Sequence, residues 1–421
     1  MLTRIKHIYH EFPRLFWVVV VVSFIDRIGG TLLFPFFALY ITQKFNVGMT
    51  QAGILLGMSS LFGLLGSTVG GALTDKFGRK RLILFGLVFS AISALTFGLV
   101  NDLNALYPIM IVVGLLSSVA HPAHDAMIAD ILPEHQRQEG FGILRVVSNL
   151  SWMIGPTIGG IVANINFFYL FVIDAVISCL VAALIFRAIP ETKPEPHAHA
   201  ASESLWQTVS GYRIVLRDAA FMAFMVAGML MLIVYQQMYS TLSVYLRDNH
   251  GTSPSGYGFL MTTSAITVVL FQFWVSRLIK RRPPFLMMAF GTLFYLIGFT
   301  LFGIVTAYIL FVLNIVIITI GEMILVPTSQ AIATNFAPQA MRGRYMAIFG
   351  LSWAIPSTIG PAAAGYILDN FNPNLLWFLG GLLCGLSALA YYALHLRFKS
   401  RPEFTPPKEA ISSLPNLTLP E

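Results

Sequence analysis

Charge is scarce in this sequence. Only 11% of its 421 residues are charged, too few to cover a soluble domain of that size, so a large-cored globule is excluded. Cysteine is scarcer still. Cys179 and Cys384 both lie inside apolar runs, where buried inert thiols are expected and a structural disulfide is not. No nucleotide-binding loop, zinc motif or nucleophile constellation is found, so ATP-driven transport and hydrolysis are not expected. Nothing calls for a cofactor, and the chain does not read as an enzyme. The first apolar run follows Arg4, Lys6 and Arg14. It is too long for a signal peptide and has no small-residue cleavage site, so it is expected to remain as a span.

Apolar residues are abundant, at 56%, and mean hydropathy is +0.75. The chain is therefore read as an all-α polytopic membrane protein. At about 20 residues per span, twelve helices are predicted. Six lie over 15–41, 51–74, 82–100, 106–130, 141–164 and 167–189, and six over 219–246, 256–279, 284–305, 308–333, 343–367 and 374–397. The domain reading is an N-terminal six-helix bundle over 1–190, a linker over 191–218, a C-terminal bundle over 219–400 and a disordered tail over 401–421. The linker opens on the proline-broken Glu191–His199 stretch. Leu205, Val209, Tyr212 and Leu216, with Trp206 beside them and Ser202 as a cap, then predict an amphipathic surface helix.

The net charge of +7 is not read as a nucleic-acid footprint, because the bases fall in short loops between apolar runs. Lys76, Arg79, Lys80, Arg81, Arg137, Lys280, Arg281, Arg282, Arg342, Arg344 and Lys399 share one side with both termini, against Lys44 and Arg247 on the other. Both ends are thus expected in the cytoplasm.

An internal repeat accompanies this pattern. A gapless shift of 205 residues lays Tyr40 on Tyr245, Pro122 on Pro327, Ala126 on Ala331 and Pro133 on Pro338. It also lays Arg137 on Arg342, Gly155-Pro156 on Gly360-Pro361, Gly160 on Gly365, and Cys179 on Cys384. Asp75 falls on Lys280, so the second loop keeps its bases and loses its acid. Such a duplication gives two parallel six-helix bundles that meet around a midplane cavity and rock to expose it to each side in turn.

Two motifs carry a family resemblance. Gly71-Ala-Leu-Thr-Asp75-Lys-Phe-Gly78-Arg79-Lys80, between spans two and three, resembles the loop signature of the major facilitator superfamily. Gly155-Pro156-Thr-Ile-Gly159-Gly160 in span five resembles the pattern of its drug/proton antiporters. The chain is accordingly identified as a member of the multidrug-efflux branch. The resemblance implies a cavity lined by spans one, four, seven and ten, and an Asp75 that meets the start of span eleven near Gly343 in the outward-facing state. An acid is favoured there by unpaired N–H groups and the helix dipole. Span four lacks the arginine the family often carries, so Arg145 is the expected partner of Asp75, with Arg137 behind it.

Ionisable groups in spans are costly and mark function by default. Asp26 and Glu322 are the leading proton-coupling candidates. His121 and Asp125, one turn apart on span four, form a possible relay, and as two ligands they are too few for a metal site. Arg27 adjoins Asp26 but points elsewhere on the helix. Asp130 reads as an interfacial acid, and Asp174 as structural. Arg27, Phe34, Tyr40, Tyr235, Gln236 and Tyr239 are the substrate-contact candidates, because aromatic surfaces suit lipophilic cations. The predicted function is proton-driven export of amphipathic, often cationic, small molecules by a monomer in a bacterial-type inner membrane, powered by the proton gradient. The alternatives are a proton-coupled importer of a sugar, peptide or organic acid, and a lipid translocase.

Overall fold

The protein was described from a computed structural model, which places residues 11–193, 212–401 and 404. The predicted tail, and most of the predicted surface helix with Ser202, Leu205, Trp206 and Val209, lie outside the described residues. Residues 212–217 are helical.

Twelve helices among the described residues are long and apolar enough to cross a membrane. They are α1 (Arg14–Lys44), α2 (Met49–Phe77), α3 (Arg79–Leu99), α4 (Leu103–Ile131), α5 (Glu134–Ile165) and α6 (Phe167–Ala188) in the first half. The second half has α7 (Ala219–Met238), α8 (Pro254–Ile279), α9 (Pro284–Phe302), α10 (Tyr308–Phe336), α11 (Arg342–Asn370) and α12 (Asn374–Phe398). Lipid offers backbone groups no hydrogen bonds, which is why every span is helical. Side chains satisfy several of the exposed first turns. Asp102 accepts from Asn104 N, Asn166 from Phe168 N, Asp218 from the N–H groups of Ala220 and Phe221, and Ser253 from Gly256 N. Large apolar side chains such as Phe186, Phe273, Trp274 and Leu389 stand on the outside, as they do when the solvent is lipid.

Several spans depart from the predicted bounds. A 3₁₀ turn over Phe34–Phe36 breaks α1 at Pro35, and another over Ser118–Ala120 breaks α4 just before Pro122. α7 ends at Met238 instead of running to 246, and a separate short helix, Leu242–His250, follows it. α5 begins at Glu134, because a polar stretch too hydrophilic to count as a span still continues the helix.

α1 begins and α12 ends on one face, here termed the basic face; the opposite side is the far face. The two six-helix halves meet through two antiparallel pairs, α2 with α11 and α5 with α8. The repeat holds at atomic detail. The Tyr40 hydroxyl donates to the Phe97 carbonyl, and the Tyr245 hydroxyl donates to the Phe302 carbonyl, 205 residues on. A Cβ on Gly53 would strike the Pro361 carbonyl, and one on its counterpart Gly258 would strike the Pro156 carbonyl. Gly365 abuts Met49 and Thr50, while its counterpart Gly160 abuts Pro254 and Ser255. The close-contact glycines of one pair are thus repeated in the other.

All these contacts lie toward the far face. There Arg247 Nη1 also donates to Thr42 Oγ1 at 2.9 Å, joining the halves. Toward the basic face α2 and α11 separate. Gly71 of α2 and Gly343 of α11 each have open space where a Cβ would stand. The molecule is closed at the far face and open at the basic face.

Candidate functional site

Between the halves lies a cleft made of two adjoining cavities of about 310 and 240 Å³, which share Asn149, Val268 and Glu322. A larger space of about 680 Å³ lies elsewhere, between α9 and α12, with an almost wholly apolar lining. Among the described residues no charged one lines it, so the chemistry belongs to the cleft.

The inner end of the cleft is aromatic. Phe34 leaves 53% of its surface exposed there, because the 3₁₀ break in α1 turns it inward. Its ring meets Trp152 of α5 edge-on at 6.4 Å. Trp152 in turn meets Tyr239 at 5.1 Å, an aromatic contact between the halves. Tyr235 and Tyr239 join through their hydroxyls at 3.0 Å, and Trp353 of α11 stands 6.2 Å from Tyr235. Gln236, Ser148 and Asn149 supply polar edges.

Glu322 of α10 lines both cavities. Tyr235, Tyr239, Tyr295 and Arg145 are all near enough to interact with its charge. Arg145 faces it from the other half, and its Nη1 donates to Gln330 Oε1 of α10 at 3.3 Å. The cleft therefore carries a carboxylate on one wall and a guanidinium on the other. Arg27 Nη1 donates to Ser148 Oγ at 3.2 Å, and Arg27 lies within electrostatic reach of His121 and Asp125, which are exposed on α4. Asp26 turns the other way, into the first half, toward Asp174. Asp174 is 8% exposed and packs against Gly29, one turn on from Asp26. Asp26 lines neither cavity.

Two expected roles are corrected. Tyr40 is no cleft residue. It is 4% exposed, packs on Phe167 and Phe171, and binds the Lys44 ammonium at 3.0 Å. Arg145 does not meet Asp75. Asp75 is largely exposed and pairs with Arg79 one turn on, at 3.6 Å, while Arg79 is 10% exposed and gripped by Asp130 at 2.8 Å. Arg145 lies eleven residues, about three turns, in from the basic-face end of α5, and its side chain turns into the cleft instead of toward that loop.

The loop between α2 and α3 is tied to the end of α6. Gly78 takes a φ of 93°, and the Glu191 carboxylate fills the space where a Cβ would go. That carboxylate accepts from Arg79 N at 2.8 Å and Lys80 N at 3.4 Å, and Lys80 Nζ donates to the Phe186 carbonyl at 2.8 Å. In the span-five motif, Gly155 and Gly159 hold α1 close through Thr31 and Leu32, and Gly160 meets α8. Thr157 hydrogen-bonds Thr262 across the halves. The motif thus works here as a packing surface on two sides.

Sequence reasoning missed Trp152, Trp353, Asn149 and Ser148. Trp152 and Asn149 lie just ahead of the Gly155 motif in the membrane-spanning part of α5, which was a usable signal. Trp353 carried none, since one more aromatic in a chain this rich in them is unremarked.

The family profile described as the Major Facilitator Superfamily matches residues 19–251 and 231–418. A Na(+), Li(+), K(+)/H(+) antiporter of Planococcus maritimus is 27% identical over 378 residues, covering 83% of this chain and 89% of the relative. The multidrug resistance protein MdtH of Shigella dysenteriae is 24% identical over 364 residues, covering 85% and 88%. A crystal structure of a POT family transporter in complex with a thioalcohol-conjugated peptide superposes with a TM-score of 0.79 at 17% identity, covering 91% of this chain and 96% of that one. Twelve spans, two repeated halves and a cleft between them agree with the profile match over nearly the whole length: this chain belongs to the Major Facilitator Superfamily of membrane transporters.

Proposed function

We propose that the protein is a proton-coupled exporter of amphipathic or lipophilic cations, of the multidrug-efflux type, working by alternating access. The observation that carries this reading is the position of Glu322, the one acid among the described residues that lines an aromatic cleft between the two halves. Aromatic faces attract organic cations and tolerate varied shapes. A single carboxylate can then hold either a cation or a proton.

The basic face is cytoplasmic by the positive-inside rule, so the conformation described is inward-open. A lipophilic cation enters from that side, spreads over Phe34, Trp152, Tyr235 and Tyr239, and pairs with ionised Glu322. The halves rock, the far face opens, and an external proton takes the carboxylate and releases the cation. The protonated carrier returns and gives up its proton to the more alkaline interior. Arg145 stabilises the ionised state of the empty cleft. His121 and Asp125 form a second proton station beside Arg27, and Asp26, turned toward Asp174, a separate one inside the first half. Asp75, Arg79 and Asp130 belong to the conformational switch at the basic face. The names of the two relatives, one a cation/H(+) antiporter and one a multidrug resistance protein, support exchange of this kind.

Transport in proteoliposomes under an imposed pH gradient tests the substrate class. Cationic dyes are expected to move against their gradient, toward the acidic side. Movement of sugars or short peptides with the proton, and none of the dyes, contradicts export of cations.

A further inference from the structure

At the far face, the carboxylate of Asp369, in the last turn of α11, closes on the first turn of α2. Asp369 Oδ1 accepts from Met49 N at 2.9 Å. Its Oδ2 accepts from Thr50 N at 2.7 Å and from Thr50 Oγ1 at 2.5 Å. No residue preceding α2 caps it with a side chain. The exposed N–H groups at its start are therefore satisfied from the other half of the molecule, at the end where the helix dipole favours an anion.

We infer that Asp369 is the far-face latch of the transport cycle, made when that face is closed and broken when it opens. Asp75 is its opposite number on the same helix pair. Because α2 and α11 run antiparallel, the C-terminal end of each lies beside the N-terminal end of the other. Asp75 ends α2 at the basic face, and Asp369 ends α11 at the far face. In this structure Asp369 holds the start of α2, while Asp75 is 80% exposed and the start of α11 at Gly343 has open space beside it. One latch is made and the other open.

The second helix pair shows that the arrangement is not mere packing. The repeat keeps the glycine contacts in α5 and α8 but not the latch. Asn164 stands where Asp369 would be, and Pro254, which has no N–H to offer, stands where Met49 would be. α8 is capped instead by its own Ser253. Likewise Lys280 stands where Asp75 would be. Both acids occur only on the α2–α11 pair, one at each end.

The inference does not depend on what is carried, and conformation tests it directly. Spin labels at Gln43→Cys and Asn372→Cys report the far face, and labels at His135→Cys and Arg281→Cys report the basic face. Both pairs go into full-length protein in lipid, with Cys179 and Cys384 replaced by serine. Asp369→Ala is expected to raise the ratio of far-open to far-closed molecules about tenfold, or about 1.4 kcal/mol. The far-face distance lengthens as the basic-face distance shortens. Asp369→Asn keeps an acceptor but loses the charge-assisted bonds, and Thr50→Val removes one donor; each is expected to give a smaller shift, about threefold. Asp75→Ala is expected to move both distances the opposite way. Unchanged distances in Asp369→Ala overturn the inference. Should that variant fail to fold, unchanged distances in both Asp369→Asn and Thr50→Val overturn it equally.

Discussion

Glu191 stands just beyond α6, yet its carboxylate organises the start of α3. Partial burial favours the protonated form, but hydrogen bonds from the backbone N–H groups of Arg79, Lys80, Lys193 and Thr192 outweigh it and hold the carboxyl below its ordinary range. A carboxyl lowered by folding stabilises fully above its unfolded value, and that stability is lost as pH falls through the folded one. Glu191→Ala is expected to cost about 1 kcal/mol locally, typical of a lost helix cap. The protection of the Arg79 and Lys80 amides against hydrogen exchange, taken relative to the intrinsic rate at the same pH, should fall about fivefold, and acidification of the wild type should lower it likewise. The two repeated tyrosines give a paired expectation. Tyr40→Phe and Tyr245→Phe each lose a buried hydroxyl-to-carbonyl bond worth about 1 kcal/mol, so thermal unfolding midpoints should fall by similar amounts. Tyr40→Phe should leave substrate affinity unchanged, because Tyr40 packs behind the cleft wall.

At the scale of helices, the halves touch backbone to backbone at repeated glycines. Gly53→Ala and Gly258→Ala would each drive a Cβ into a proline carbonyl of the other half. Relief by opening is cheaper than relief by core distortion, which costs about 1–3 kcal/mol. Both substitutions are expected to lengthen the far-face label distance, and by comparable amounts. Gly71→Ala, with nothing within 4 Å, should leave that distance unchanged. Much of this level was legible in the sequence. The apolar runs placed the spans, and the shift of 205 residues paired Gly160 with Gly365 and Pro156 with Pro361 before any contact was visible. Helix breaks were less legible: Pro35 sits in an unbroken apolar run, and the His121–Asp125 stretch around Pro122 stood out for its ionisable groups instead of for a break. The role of Tyr40 was misread because an aromatic on a cavity helix can face either way, and a 3₁₀ turn decided it.

For the whole molecule, the proposed cycle uses two packings of rigid halves, closed at one face or the other, and the structure shows the glycine contacts and the Asp369 cap of the packing closed at the far face. The membrane spans and the repeat of the halves were legible, because they follow from apolar run length and from the 205-residue shift. The cleft was only partly legible. Glu322 was marked by its cost in a span, whereas the placing of Arg145 and Trp152 depends on how the halves meet, and no single span encodes that. The central claim is that one carboxylate exchanges proton for cation. It is tested most directly with Glu322→Gln in proteoliposomes, measuring dye accumulation driven by a pH gradient and dye binding by fluorescence in the same preparation. Accumulation is expected to disappear while binding stays measurable; accumulation equal to that of the wild type contradicts the claim.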